Sequence, residues 1–416
     1  MTALTFVHTA DCHLDTPFAG VARQDPELAQ RLRQAQRAVF DDLIDLCLKQ
    51  QAAFLVIAGD LYDAQERSLV TRVRLREAFR RLEAAGVDVF LALGNHDNFE
   101  ESRSGLAFPP NVHIFSHERP QTFLWPEERP VASITGMSYG RRAVDECLAA
   151  NYPPPADDLF SLAVLHCNLD GDAAHDNYAP ARLDDLVRSG YRYWALGHIH
   201  DWRVMNGGRT TVVYPGCLQG RRIRELGRKG ATLVTVDEGG AVEPRFVALD
   251  RVQWGEIAAD VSDAAHEEEL VEALRERMNE CAAQTDPHVE GLMLRLRLTG
   301  LPGCGRGALD RALAMLRETA FEHEPFRWPE SLDTRGVALP VDWAELALAQ
   351  TPQGDLVRLV EAIRSDPARL EALRDCLLER SGPTGVDELL PAHCVIEEIL
   401  DEALRLGVDW LGRTEE

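Results

Sequence analysis

The stretch Val87-Asp88-Val89-Phe90-Leu91-Ala92-Leu93-Gly94-Asn95-His96-Asp97 decides how the rest of the chain is read. It begins as a mostly apolar run with β-branched and aromatic residues, the composition of a strand buried in a parallel sheet. The run stops at a glycine and gives way to three polar side chains able to bind a metal or move a proton. In open α/β sheets the reactive crevice lies beyond the carboxyl ends of the strands. This turn therefore delivers Asn95, His96 and Asp97 to the place where chemistry is done. Gly-Asn is also ordinary turn composition, and one such turn settles nothing. Recurrence settles it, because four other apolar runs end the same way.

Upstream, residues 4–8 feed Asp11-Cys12-His13, and Ala53–Ala58 feeds Gly59-Asp60-Leu61-Tyr62-Asp63. Helical spacing at 26–50 and a charged helical stretch at 67–85 separate these strands. The order β-α-β-α-β implies parallel strands with right-handed crossovers. Downstream, 112–115, 131–137, 162–165 and 191–196 read as strands. The third of these ends in His166, and the fourth runs into Gly197-His198-Ile199-His200. Segments 210–214, 231–236 and 244–249 complete a sheet. The fold class is α/β: two sheets packed as a sandwich with helices outside, over residues 1–250. Beyond it, helices at 267–282 and 308–318, a strand at 292–298 and another at 321–328 make a small α+β unit, 251–335. Residues 336–416 read as helical, with helices at 343–350, 356–364, 367–379 and 392–406, punctuated by Pro340 and Ser381-Gly382-Pro383.

The formal net charge of the 416 residues is −24. Proteins that rely on a broad phosphate-binding surface are usually basic. A nucleic-acid substrate would here need local positive patches, bound cations or a basic partner. Arg221, Arg222, Arg224, Arg228 and Lys229 form the densest basic cluster and could neutralise phosphates; a solvated loop is the plainer reading. The C-terminal helical stretch is acidic and is no nucleic-acid-binding arm. No apolar run approaches the ~20 residues of a membrane span, and the first apolar stretch breaks at Asp11, so neither a span nor a signal peptide is expected. Nine cysteines, scattered and without Cys-x-x-Cys spacing, fit a reducing cytoplasm.

Five strand ends carry the chemistry: Asp11 and His13; Asp60; Asn95 and His96; His166; His198 and His200. Oxygen and imidazole donors without thiolates suit Mn²⁺, Fe²⁺, Zn²⁺ or Co²⁺. A carboxylate such as Asp60 can bridge two ions, and two-metal sites clamp the attacking and leaving oxygens of a phosphoester displacement. A lone Asp-x-His or Gly-His-x-His is commonplace. Five such groups, each closing an apolar run, are hard to explain as structure alone.

Taken together, Asp11-x-His13, Gly59-Asp60-x-x-Asp63, Gly94-Asn95-His96-Asp97, His166 and Gly197-His198-x-His200 resemble the calcineurin-like metallophosphoesterase signature. Within it the chain is similar to DNA repair exonucleases of the SbcD type, on Thr9-Ala10-Asp11-x-His13-Leu14-Asp15 and Gly59-Asp60-Leu61-Tyr62-Asp63. Tyr214-Pro215-Gly216, Gln219-Gly220-Arg221-Arg222-Ile223-Arg224-Glu225 and Lys229-Gly230 look closest to the YhaO-like bacterial subgroup. These motifs lie within residues 1–235; the remainder is matched only by arrangement, as a small α+β capping domain and a helical tail.

The resemblance implies two divalent ions, with Mn²⁺ the expected metal. Asp11, His13, Asp60 and His200 would hold one, and Asp60, Asn95, His166 and His198 the other. His96 would face the scissile phosphate, offset its charge and help protonate the leaving oxygen, with Asp97 orienting it. Asp63 is left between a turn residue and a catalytic one. The implied activity is a DNA exonuclease that hydrolyses phosphodiesters with a two-metal-activated water, with Arg221, Arg222 and Arg224 as candidate DNA contacts. The implied partners are DNA, an SMC-like coiled-coil ATPase and a second copy of the chain, with no membrane. Rival readings are a phosphatase or nucleotide phosphodiesterase with the same core, and a non-catalytic scaffold for the ATPase.

Overall fold

The structure, a computed structural model, describes residues 3–63, 69–102, 108–156, 158–172, 174–300, 303, 306–335, 343–380 and 396–413. Pro340, Ser381-Gly382-Pro383 and the first residues of the last expected helix lie outside them. The described strands are β1 (Leu4–Thr9), β2 (Phe54–Ala58), β3 (Asp88–Ala92), β4 (Val112–Ile114), β5 (Gln121–Trp125), β6 (Ala132–Gly136), β7 (Phe160–His166), β8 (Tyr193–Gly197), β9 (Trp202–Gly207), β10 (Thr210–Pro215), β11 (Gly230–Val236), β12 (Val242–Ala248), β13 (Val252–Asp260), β14 (Gly291–Thr299) and β15 (Phe326–Asp333).

They form three sheets, in the orders β12-β11-β1-β2-β3-β4, β5-β6-β7-β8-β10-β9 and β13-β14-β15. In the first, β1 to β4 are parallel and β11 runs antiparallel on β1. In the second, β6, β7, β8 and β10 are parallel, and antiparallel β5 and β9 close its edges. The ends of β1, β2 and β3 thus share one edge, and those of β7 and β8 share another. The apolar runs exist to be sandwiched. Phe6 and Phe54 stack at 5.0 Å, and Phe6 meets Tyr193 of the opposite sheet edge-on at 5.3 Å. Val56, Ala58 and Ala92 pack with Leu162, Val164 and Ala195 in the same layer.

The helix Pro26–Lys49 explains itself from its ends and its spacing. Asp25 caps it by accepting from the Leu28 N–H at 2.7 Å, and proline stands in its first turn, as helix starts prefer. Leu28, Leu32, Ala35, Val39, Leu43 and Cys47 recur at helical spacing and are buried. Its second half covers the outer face of the first sheet through Val39, Phe40, Leu43 and Ile44. Its first half covers the third sheet, where Leu28, Leu32 and Ala35 meet Trp254, Met293, Phe326 and Trp328.

The third sheet is wholly parallel, with helices Glu267–Ala283 and Arg306–Glu318 as crossovers. It is fastened to the sandwich by Arg251, which grips both oxygens of Asp42 at 2.7 and 2.9 Å and also pairs with Glu290. Gln219 accepts from the Arg251 and Val252 N–H groups, and the Trp254 indole donates to the Gly220 carbonyl at 2.9 Å. The C-terminal helices Trp343–Leu348, Pro352–Arg364 and Ile396–Arg413 pack around Val357, Val360, Leu400 and Leu404. No helix among the described residues is long and apolar enough to cross a membrane.

Candidate metal centre

The strands leave their sheets through backbone that non-glycine residues seldom adopt. Asp11, His13, Asp60 and His198 have φ of 51°, 42°, 53° and 102°. Such positions cost ~1–3 kcal/mol each and gather where function requires them. The turns are tied to one another: the Asp11 N–H donates to the Gly59 carbonyl and the His13 N–H to that of Asp60. Two glycines are required by what surrounds them. A Cβ on Gly94 would lie 2.3 Å from Asp60 Oδ1, and one on Gly197 would lie 1.9 Å from the Ala58 carbonyl oxygen.

The result is a buried pair of carboxylates ringed by imidazoles. Asp60 Oδ2 lies 3.6 Å from His13 Nε2 and 3.5 Å from His166 Nε2, midway between the two rings. Asp11 Oδ1 lies 3.6 Å from His200 Nε2 and 4.0 Å from His13 Nε2. Asn95 Oδ1 is 3.0 Å from His166 Nε2. Donor atoms of Asp11, His13 and His200, and again of Asp11, Asp60 and His166, lie within 4.8 Å of one another. His198 stands beside this group, its ring 5.2 Å from that of His166.

The far nitrogen of each ring shows what the near one offers. His166 Nδ1 meets the Ala58 carbonyl at 2.9 Å, His200 Nδ1 meets Glu225 at 2.9 Å, and His13 Nδ1 meets Asp63 at 3.3 Å. Carboxylates only accept, so the protons of His200 and His13 sit on Nδ1 and each Nε2 presents a lone pair inward; His166 has an acceptor oxygen at both nitrogens, Ala58 at Nδ1 and Asn95 at Nε2, and a cation at Nε2 would leave its proton on Nδ1. This is the arrangement by which outer partners orient metal-ligating histidines. His198 uses the other edge: Nε2 donates to the Asp176 carbonyl at 2.7 Å, leaving Nδ1 as its lone pair.

Burial keeps these rings neutral, pushing His13 and His198 down to about 3 and His200 to about 4. Burial, and then the charge of Asp60, push Asp11 up. The neutral rings of His13 and His200 therefore turn lone pairs toward the oxygens of Asp60 and Asp11. His13 Nε2 is buried with no hydrogen-bond partner among the described residues. Lone pairs converging on buried carboxylates are stable only around cations, and the donor set fits divalent ions.

His96 sits at the mouth of the centre, with about a third of its side chain exposed (35 %). Here the sequence-based assignment needs correction. Asp97 does not orient His96. Its fully buried carboxylate accepts from the backbone N–H groups of Gly94 (2.6 Å), Leu61 (2.8 Å) and Asp60 (3.2 Å), which stitches the second and third turns together. Burial and the Asp60 charge raise Asp97 to about 7. The residue on the His96 ring is Asp63, whose Oδ1 lies 2.8 Å from His96 Nδ1. Burial works against charge on both; hydrogen bonds from His13 and then His96 outweigh it at Asp63 and hold that carboxyl below its ordinary value, while the Asp63 bond and the charge of Asp60 hold His96 above its own.

The basic cluster divides. Arg228 is spent on Asp250 and Asp286, and Lys229 is buried against Asp201 and the His200 carbonyl. Arg221 reaches in toward Thr16 and Glu225, while Arg222 is exposed and bonds Glu225. Arg224 is exposed without an ion pair among the described residues. Two contributors were given no role by the sequence reading. Glu225 is a buried acid hidden in an arginine run, and His175 lies 5.3 Å from the His200 ring and 5.6 Å from that of His198.

Comparison with known proteins agrees with this geometry. The family described as calcineurin-like phosphoesterase matches residues 4–202, and the middle domain of metallophosphoesterase YhaO matches 254–335. The uncharacterized metallophosphoesterase YhaO of Bacillus subtilis (strain 168) is 37% identical over 339 residues, 80% of this chain and 82% of its own. The chain belongs to the calcineurin-like metallophosphoesterases. The DNA double-strand break repair protein Mre11 of Aeropyrum pernix is a weaker relative of this phosphoesterase, 26% identical over 62% of this chain and 64% of its own. A solved dimetal phosphatase from Danio rerio aligns over 58% of this chain and 96% of its own at 10% identity and a TM-score of 0.34, too loose for anything to rest on it. Membership makes the chain a phosphoester hydrolase of a family that depends on two metal ions.

Proposed function

We propose that this phosphoesterase is a DNA exonuclease, the nuclease subunit of a repair complex, working with Mn²⁺. The observation that carries the hydrolytic reading is the Asp60 oxygen held between two imidazoles, 3.6 Å from His13 Nε2 and 3.5 Å from His166 Nε2. Asp11, His13, Asp60 and His200 would hold one ion, and Asp60, Asn95, His166 and His198 the other. When bound, such a pair supplies a water nucleophile at neutral pH and positive charge for the phosphoryl oxygens.

The chain's own residues do the rest. His96, favoured as the cation by Asp63, presents its Nε2–H at the mouth as a donor to a phosphoryl or leaving oxygen. Burial of Asp11, His13, Asp60 and His166 fixes their positions before substrate arrives. DNA as substrate is supported by the Mre11 relative and by Arg222 and Arg224, exposed beside the centre, with Arg221 lining it. A coiled-coil ATPase and a second copy of the chain are the partners proposed, in the cytoplasm.

The test is degradation of end-labelled single- and double-stranded DNA with Mn²⁺, alongside His96→Ala. Metal-dependent shortening from an end, lost in His96→Ala while both ions are retained, is the expected result. Hydrolysis of mononucleotides or nitrophenyl phosphate with intact DNA would overturn the nuclease reading and leave a phosphatase.

A further inference from the structure

Six imidazoles form an unbroken arc around the centre. His96 stands against His13 with ring centroids 4.6 Å apart, and His13 against His200 at 5.4 Å. His200 stands against His175 at 5.3 Å, His175 against His198 at 5.6 Å, and His198 against His166 at 5.2 Å. Five of the six have a role above. His175 has none, and among the described residues neither of its ring nitrogens has a hydrogen-bond partner. Yet it is the ring that touches both His200 and His198, which belong to different proposed ligand sets. It is only partly buried.

The loop that carries His175 is held tightly although the ring is free. Asn168 is fully buried, and its side-chain amide donates to the carbonyls of Asp172, His175 and Asp176 at 3.0, 3.4 and 3.1 Å. Its Oδ1 accepts from the Asp172 N–H at 2.7 Å. Asp172 pairs with Arg203 at 2.7 Å, and Asp176 receives the His198 proton. Leu169 and Ala181 close the loop in a parallel bridge. A clamped backbone with an unbonded ring is the signature of a side chain placed in advance for something that binds. The nearby acids are largely engaged: Asp172 with Arg203, and Asp201 with Lys229. Asp172 is the charge that acts most on the ring, and Arg222 and Arg203 oppose it. With those acids already paired, the unbonded ring nitrogens are left for a ligand that accepts a hydrogen bond.

We propose that His175 is a catalytic residue that donates a ring N–H to a nonbridging oxygen of the phosphoryl group at the centre, across His13 and His200 from His96. Either tautomer, or the cation, carries a suitable donor. The proposal rests on the phosphoester-hydrolase reading of the site, not on DNA as the substrate.

The experiment uses the full chain loaded with Mn²⁺, as wild type, His175→Ala and His175→Gln. Inorganic phosphate is titrated by calorimetry, bound manganese is counted, and kcat and KM are measured on bis(4-nitrophenyl) phosphate. A hydrogen bond to a charged group is worth ~1.5–3 kcal/mol. Phosphate affinity and kcat/KM should therefore fall about 10- to 100-fold in His175→Ala. Both ions should remain, and His175→Gln, which keeps a donor, should recover part of the loss. Values within twofold of wild type would overturn the proposal. So would loss of manganese in either variant, which would make His175 a ligand or a structural prop. If the wild type hydrolyses no phosphoester, the enzymatic reading fails while the phosphate titration still judges His175. A wild type that binds no phosphate counts against it.

Discussion

Replacing Asp63 with asparagine tests the correction made to the orienting pair. Asp63 Oδ1 accepts from His96 Nδ1 at 2.8 Å and from His13 Nδ1 at 3.3 Å, and its Oδ2 accepts from the Thr16 hydroxyl at 3.1 Å. Asparagine has the same shape. Its Oδ1 can still meet the rings, and its amide can donate to the Thr16 oxygen, so the fold should survive. What disappears is charge. A charge-assisted hydrogen bond contributes ~1.5–3 kcal/mol and a neutral one ~0.5–1.5. The difference, taken in full for the short His96 contact and in part for the longer His13 contact, is about 2 kcal/mol. That is about 30-fold in rate, within the ~10–100-fold typical of partners that orient metal ligands. The assay is hydrolysis of bis(4-nitrophenyl) phosphate over a manganese titration, with thermal melting as the folding control. Activity within threefold of wild type at saturating metal, with unchanged manganese affinity, would refute the assignment of Asp63 to His96.

Asp97→Ala should act on stability instead. Three N–H groups lose their acceptor, at ~1–3 kcal/mol for each buried group left unpaired, and urea denaturation should show a loss of about 3 kcal/mol or more. A loss under 1 kcal/mol would contradict the stitching role. Gly94→Ala places a methyl 2.3 Å from Asp60 Oδ1 and should weaken manganese binding at least ~10-fold with the circular-dichroism spectrum intact; unchanged affinity would mean that the turn yields at no cost. Asp88 offers a pH test away from the centre. Burial pushes its carboxyl up, but hydrogen bonds from His113 and the Trp125 indole outweigh that and hold it below the ordinary value. A depressed folded value means that its stabilisation is complete above the ordinary carboxylate range and lost as pH falls through the folded value. The stability gap between wild type and Asp88→Asn should be constant near neutrality and close on acidification; a gap that widened in acid would reverse the sign.

The sandwich was legible because its central strands are apolar on both faces. The runs around Phe54–Ala58 and Asp88–Ala92 announce themselves. Edge strands do not. Gln121–Trp125 alternates half-buried and exposed residues and Trp202–Gly207 holds no fully buried one, so no run marks either, and Val252–Asp260 alternates as well. The last strand starts at Phe326, later than the Phe321–Trp328 stretch suggests, because Phe321 instead stacks on Trp328. At the centre, the donors closing apolar runs could be found by position. Their supporting groups could not. Glu225 comes from a loop far along the chain, and His175 from a loop pinned by Asn168. Choosing between Asp63 and Asp97 required knowing which way each side chain turns after its strand, and spacing does not encode that.

The Arg251 grip on Asp42, with Gln219 and Gly220 receiving bonds from the start of the third sheet, makes the accessory unit a lever whose fulcrum lies beside the imidazoles. Gln219 and Gly220 lead directly into the turn holding Glu225, the acid behind His200. A tilt of the lever must either break that belt of bonds or drag the turn along. Load applied far from the cleft would then be felt as a change in how firmly His200 is held.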